Sequence, residues 1–101
     1  LDADQATALV ETSYALNSLG TLALDRGRSG EAAAYFMRSM DLKKKGMTLD
    51  PTNMQWRFEL NDTESWINRS KEAEGRLSEA ATGYDRNIRE LEALIRRQPD
   101  A

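Results

Sequence analysis

The feature that most constrains this chain is that it repeats itself. The stretch Gly27-Arg28-Ser29-Gly30-Glu31-Ala32-Ala33-Ala34-Tyr35-Phe36 returns as Gly75-Arg76-Leu77-Ser78-Glu79-Ala80-Ala81-Thr82-Gly83-Tyr84, and Pro51 returns as Pro99, all at a spacing of 48 residues. A fixed period of this size marks an array in which each unit is one supersecondary piece that buries its apolar face on its neighbour. A chain of 101 residues holds two such units, about 4–51 and 52–99, and has no room for a second independent core. We read 1–101 as a single domain.

Each unit reads as two helices. Residues 4–26 place Leu9, Val10, Leu16, Leu19, Gly20 and Ala23 at a spacing that suits one buried face, with Asp2 or Asp4 to cap the start and Gly27 to close the end. Ser29 is placed to cap a second helix carrying Ala32, Tyr35, Phe36, Ser39, Met40, Lys43 and Met47, which we expect to run through Gly46 to about Leu49. Asp50-Pro51-Thr52-Asn53 turns the chain, and Thr52 with Gln55 fits a capping box for a third helix over 54–74. Gly75 repeats the earlier stop. The fourth helix shows the clearest pattern, Leu77, Ala81, Tyr84, Ile88, Leu91 and Ile95 in alternating steps of four and three, and runs to about Arg97. The fold class is therefore all-α, two stacked antiparallel helical hairpins.

Composition narrows function by what it removes. The chain has no Cys and no His, which takes away disulfides, thiolate nucleophiles, the commonest general base and the commonest transition-metal ligand. Fourteen basic and 17 acidic residues are interspersed, so no sustained field gathers nucleic acid or anionic lipid. No apolar run approaches the roughly 18 residues of a membrane span. Near pairs of carboxylates, Asp62 with Glu64, Glu72 with Glu74 and Glu90 with Glu92, sit two apart and so point to different sides of a helix. They read as solvated faces, and Lys43-Lys44-Lys45 reads as a charged helix end. No catalytic residue, cofactor or metal is expected, nor a nucleic-acid or membrane partner; a cytoplasmic location is the default.

The residues at the turns resemble those of the tetratricopeptide repeat family. Leu16, Leu19 and Gly20, then Gly27, Ala32, Phe36 and Pro51, follow that family's order of large residue, Leu-Gly, turn Gly, small Ala, aromatic and closing Pro; Ile67, Gly75, Ala80, Tyr84 and Pro99 match in the second copy. The family's period is 34 residues, so each helix here is longer by about seven, close to two turns, which lengthens it without rotating its apolar face. The second copy departs by carrying Asn68 in place of the Gly, Glu64 in place of a large apolar residue and Lys71 in place of an aromatic.

That resemblance implies a noncatalytic scaffold that binds a peptide or protein segment on a face lined by the first helix of each pair. Carried over by position, the face comprises Tyr14, Asn17 and Thr21 from the first copy and Asp62, Ser65 and Arg69 from the second. The alternative is a regulatory or ligand-sensing domain of a larger enzyme or transcription regulator. Trp56 and Trp66 read as packing between the hairpins, and the stripe on the fourth helix as cover for its neighbour with its far end free. Leu91, Leu94 and Ile95 at one end and Leu9 and Val10 at the other look like uncovered repeat ends, so a homodimer through them is expected.

Small Ala32 and Ala80 mark where two helix backbones approach, with Phe36 and Tyr84 filling the gap one turn on. Ala32→Leu should cost about 1 to 3 kcal/mol by overpacking that contact, and Ala33→Leu less. Equal melting temperatures for wild type and Ala32→Leu would remove the contact from this position.

Overall fold

The computed structural model describes residues 2–97, and within them the chain is four helices joined by short turns: α1 Ala3–Asp25, α2 Ser29–Leu49, α3 Gln55–Ala73 and α4 Leu77–Arg96. Pro99 and the chain's last residues lie outside the described region. α1 pairs with α2 and α3 with α4 as antiparallel hairpins, and the second hairpin stacks on the first through α3 against α2. The molecule measures 39 × 30 × 19 Å. Its short dimension is that of two helices side by side, at the usual 8 to 10 Å between axes plus side chains.

The two hairpin turns are made identically, because the repeated Gly supplies the same backbone conformation in each. Gly27 and Gly75 have φ of 74° and 80°, the left-handed region that only Gly enters without strain. Around Gly27 the Arg28 amide donates to Ala23 O at 2.8 Å and the Gly27 amide to Leu24 O at 2.9 Å; around Gly75 the Arg76 amide donates to Lys71 O and the Gly75 amide to Glu72 O, at 2.9 and 3.0 Å. These paired bonds form the Schellman cap that satisfies the last carbonyls of a helix. At the start of α1, Asp2 and Gln5 form a reciprocal capping box. The starts of α2 and α3 differ from the sequence expectation. Ser29 is the first residue of α2 rather than its cap, and at α3 the Asn53 side chain, not Thr52, accepts from the Gln55 amide at 3.0 Å.

Packing depends on rings seated where a side chain is missing. A methyl placed on Gly20 would stand 2.5 Å from the Phe36 ring, and one on Gly46 2.6 Å from the Trp56 ring. This explains why α2 runs through Gly46: the roughly 1 kcal/mol that an interior Gly costs a helix is offset by seating the buried Trp56 against its backbone. Ala23, Ala32 and Phe36 form the central cluster, with Leu24, Trp66 and Ile67 against it. Trp66 stacks on Phe36 with centroids 5.8 Å apart, so both tryptophans pack between the hairpins as expected. In the second hairpin the gap has changed sides. Asn68 stands at the Gly20 position on the inner helix, and the outer helix carries Gly83 where the first hairpin has Tyr35; a methyl on Gly83 would overlap the Asn68 amide.

Much of the remaining interior is polar, and the polar links repeat too. Ser39 Oγ donates to Ser13 O at 3.0 Å, tying α2 to α1. At the positions 48 residues on, Asn61 Nδ2 donates to Asn87 O at 3.0 Å, tying α3 to α4 with the donor moved to the inner helix. Asn68 Nδ2 adds a bond to Asn87 Oδ1 at 2.6 Å. Each of these groups is buried and partnered, which is the condition under which a polar core does not oppose folding.

The glycines supply a clean contrast. Gly46→Ala should destabilise by about 1 to 3 kcal/mol because the new methyl meets the Trp56 ring. Gly30→Ala, a helical position with open space around it, should stabilise by about 0.5 to 1 kcal/mol. Denaturant midpoints check both, and a tolerated Gly46→Ala would detach Trp56 from this seat.

Candidate interaction surface

Tyr14 and Asn17 lie on the side of α1 where α3 crosses, and both are engaged by it. The Tyr14 hydroxyl donates to Glu59 Oε1 on the exposed side of the crossing. That bond raises the Tyr14 pKa above its usual 10.0, since losing the proton loses the bond, and burial adds to the rise. Asn17 Nδ2 reaches Thr63 Oγ1 at 3.3 Å, while Asn17 Oδ1 is buried without a protein partner. A half-turn of this amide presents its oxygen to the Thr63 hydroxyl, which then donates to Asn17 while accepting from a third group, Lys43.

Lys43 is the unexpected residue. The sequence places it at a charged helix end, yet α2 continues past it and its side chain is 1% exposed. Its ammonium donates to Thr63 Oγ1 and, at 3.4 Å, to Glu59 O. Burial pushes the amine below its ordinary 10.5, against the pull of the Glu59 and Asp62 carboxylates. The signal for this was in the sequence, since Lys43 falls on the buried stripe with Ala32, Phe36 and Ser39, but a cation there reads more naturally as a helix-end charge.

The other expected face residues are dispersed. Thr21 and Ser65 spend their hydroxyls on carbonyls of their own helices, Ser18 O and Asp62 O. Arg69 lies over the Trp66 ring, 5.6 Å from its centroid. Asp62 is exposed, and with Ser65 it borders a groove between α3 and α4.

That groove is open to solvent and largely apolar. It measures ≈ 540 Å³, with Phe58, Asn61, Asp62 and Ser65 on its α3 side and Tyr84, Asn87, Ile88 and Leu91 on its α4 side. The α4 stripe does not cover its neighbour as expected. α4 instead buries Ala80, Gly83, Asn87 and Leu94, and leaves Leu77, Ile88 and Ile95 more than half exposed. The reason is Gly83: with no side chain there, the helix settles against Asn68 on its smaller face and turns the larger side chains outward. Leu9 and Leu94, read as uncovered ends, belong to the core, and the exposed leucines of α1 are Leu19 and Leu22.

A second, polar cleft of ≈ 480 Å³ is lined by Glu64, Lys71, Glu79 and Arg86 with the amides of Asn68 and Asn87. Burial raises the Glu64 pKa above 4.5, and the nearby Glu90 carboxylate adds to the rise. Among the described residues no three acidic side chains are grouped to hold a metal ion, and no helix is long and apolar enough to cross a membrane.

The lowered Lys43 pKa sets a sign for stability. Between that value and 10.5 the unfolded chain holds a proton that the folded one has released, so stability rises with pH across this window. Denaturation followed as pH rises toward 10.0 should show the rise in wild type and not in Lys43→Met, below the range where the raised Tyr14 and Tyr84 act in the opposite sense. Identical slopes in the two proteins would mean that Lys43 is solvated. Comparison of the chain with protein-family models, with curated protein sequences and with solved structures gives no match.

Proposed function

We propose that this protein is a noncatalytic protein-interaction module, a two-unit member of the tetratricopeptide-like class with lengthened helices, and that the groove between α3 and α4 is its docking surface. One observation carries the reading. The most regular apolar stripe in the sequence, on α4, is turned outward beside a groove instead of into the core. Exposed contiguous apolar surface on a small water-facing fold marks a site of association. The groove's make-up supports a helical or extended protein segment as occupant: an apolar floor of Ile88 and Leu91, an aromatic at Tyr84, and a polar rim in Asp62 and Ser65. Of the six residues expected from the sequence, this surface keeps Asp62 and Ser65, while Tyr14 and Asn17 hold α1 to α3. A cytoplasmic setting, with no cysteine to cross-link, fits the reading.

The test is affinity capture with the intact protein, wild type against Leu91→Asp and Tyr14→Phe, read by quantitative mass spectrometry. A specific protein retained by wild type and Tyr14→Phe and lost with Leu91→Asp is the expected outcome. The same proteins recovered by all three baits would remove the groove as the docking surface.

A further inference from the structure

The groove has a counterpart inside the molecule, and there it is filled. α3 seats itself on the first hairpin through Trp56 on Gly46, Glu59 on Tyr14, Thr63 on Lys43 and Asn17, and Trp66 on Phe36. Moved on by the repeat length of 48, the receiving positions 14, 17, 36, 43 and 46 become Asp62, Ser65, Tyr84, Leu91 and Leu94. Four of these line the open groove, while Leu94 is buried and borders a separate cleft with Met47 and Leu60. The open groove is thus the site α3 occupies, one unit further along.

The inserting positions have counterparts as well. Moved back by 48, Trp56, Glu59, Thr63 and Trp66 become Ala8, Glu11, Ala15 and Ser18 on α1, and Ile67, packed against the Phe36 cluster, becomes Leu19. All five are exposed, Leu19 to 44%. The molecule therefore carries an open receiving face at one end and an open inserting face at the other.

The two faces differ from the internal junction at each contact. Where the junction has large Trp56 on small Gly46, the inserting face has small Ala8, and the matching receiving residue, Leu94, is turned into its own molecule. Where the junction has polar Thr63 on Lys43, the ends offer Ala15 to Leu91, apolar on apolar. At that contact both sides have changed together, so polarity still matches; Trp66 on Phe36 becomes small Ser18 beside Tyr84, and Thr63 on Asn17 becomes small Ala15 beside Ser65. Glu59 on Tyr14 becomes Glu11 facing Asp62, a like-charged pair at the solvent-exposed rim where such pairs weigh little.

We propose that the occupant of the α3/α4 groove is α1 of a second copy of this chain, stacked head to tail so that the step relating the hairpins within one molecule continues into the next. This rests on the groove being the docking surface and names what fills it. A head-to-tail contact uses different patches on the two partners, so it leaves a free face at each end of every assembly and extends beyond a dimer.

The test uses two full-length variants that each break one face at an exposed position: Ala15→Arg on α1 and Ile88→Arg in the groove. Sedimentation of wild type up to about 1 mM should give a mean mass that passes beyond the dimer as concentration rises, whereas each variant alone stays monomeric. An equimolar mixture should form a dimer and stop there, because only the intact α1 of Ile88→Arg and the intact groove of Ala15→Arg remain. Glu11→Lys, which turns the like-charged pair into an opposite one, should tighten wild-type association roughly twofold to fivefold at low salt. Wild type that remains monomeric throughout overturns the proposal, as does a mixture that forms nothing or an Ala15→Arg variant that still dimerises, which would signal a symmetric groove-to-groove contact. These failures are distinct from failure of the interaction reading: a different protein captured by wild type and lost with Leu91→Asp would leave the groove a docking surface with another occupant.

Discussion

Helices about 20 residues long pack into a slab this thin only if their backbones approach closely, and here approach is set by rings lying where glycine has no side chain. Phe36 on Gly20 fixes α2 against α1, and Trp56 on Gly46 fixes α3 against α2. Each contact removes a large apolar surface from water and fixes a register, because one residue of slip would drive a side chain into the ring. The Trp66 stack on Phe36 extends the first contact into a column running from α1 through α2 to α3, and Trp56 on Gly46 holds α2 and α3 together about 15 Å further along. α4 has no ring to seat, and its position is given instead by the Asn68, Asn87 and Asn61 amides against Gly83 and the α4 backbone.

The consequence is a core that specifies more than it stabilises. Ser13, Ser39, Lys43, Thr63, Asn61, Asn68 and Asn87 occupy interior positions that an idealised hairpin would fill with leucine. A partnered hydrogen bond contributes on the order of 1 kcal/mol, while a misregistered one strands a desolvated donor or acceptor at about 1 to 3 kcal/mol, so such positions discriminate against slipped packings more strongly than they favour the right one. Large apolar side chains displaced from the interior are found on the outside of α4. The stability foregone within the chain and the docking surface offered outside it have the same origin.

Most of the architecture was legible because local chemistry decides it. Gly27 and Gly75 fix the two hairpin turns, Pro51 closes the first unit, and the repeat dictates that both hairpins be built alike. Helix starts were less legible at α2 and α3, where Ser29 and Thr52 look like caps but neighbouring residues take the position. What the sequence concealed were two pairwise decisions. The passage of α2 through Gly46 was expected, but not its physical reason, the Trp56 ring lying against that backbone ten residues on. The α4 stripe reads as a core face until Gly83 and Asn68 are seen to have exchanged sizes across the hairpin. Periodicity identifies an amphipathic face, but not whether that face looks inward.

The account depends on one asymmetry between equivalent positions: the receiving face of the first hairpin is covered by α3, and that of the second is open. Methyl NMR of the dilute protein with a soluble paramagnetic relaxation agent measures this residue by residue. Signals of Ile88, Leu91 and Ile95 should broaden strongly while those of Leu16 and Leu94 stay sharp. Protection of Ile88 and Leu91 equal to that of Leu16 in the monomer would contradict the account, because the four helices would then close around a common core and leave no open unit to fill.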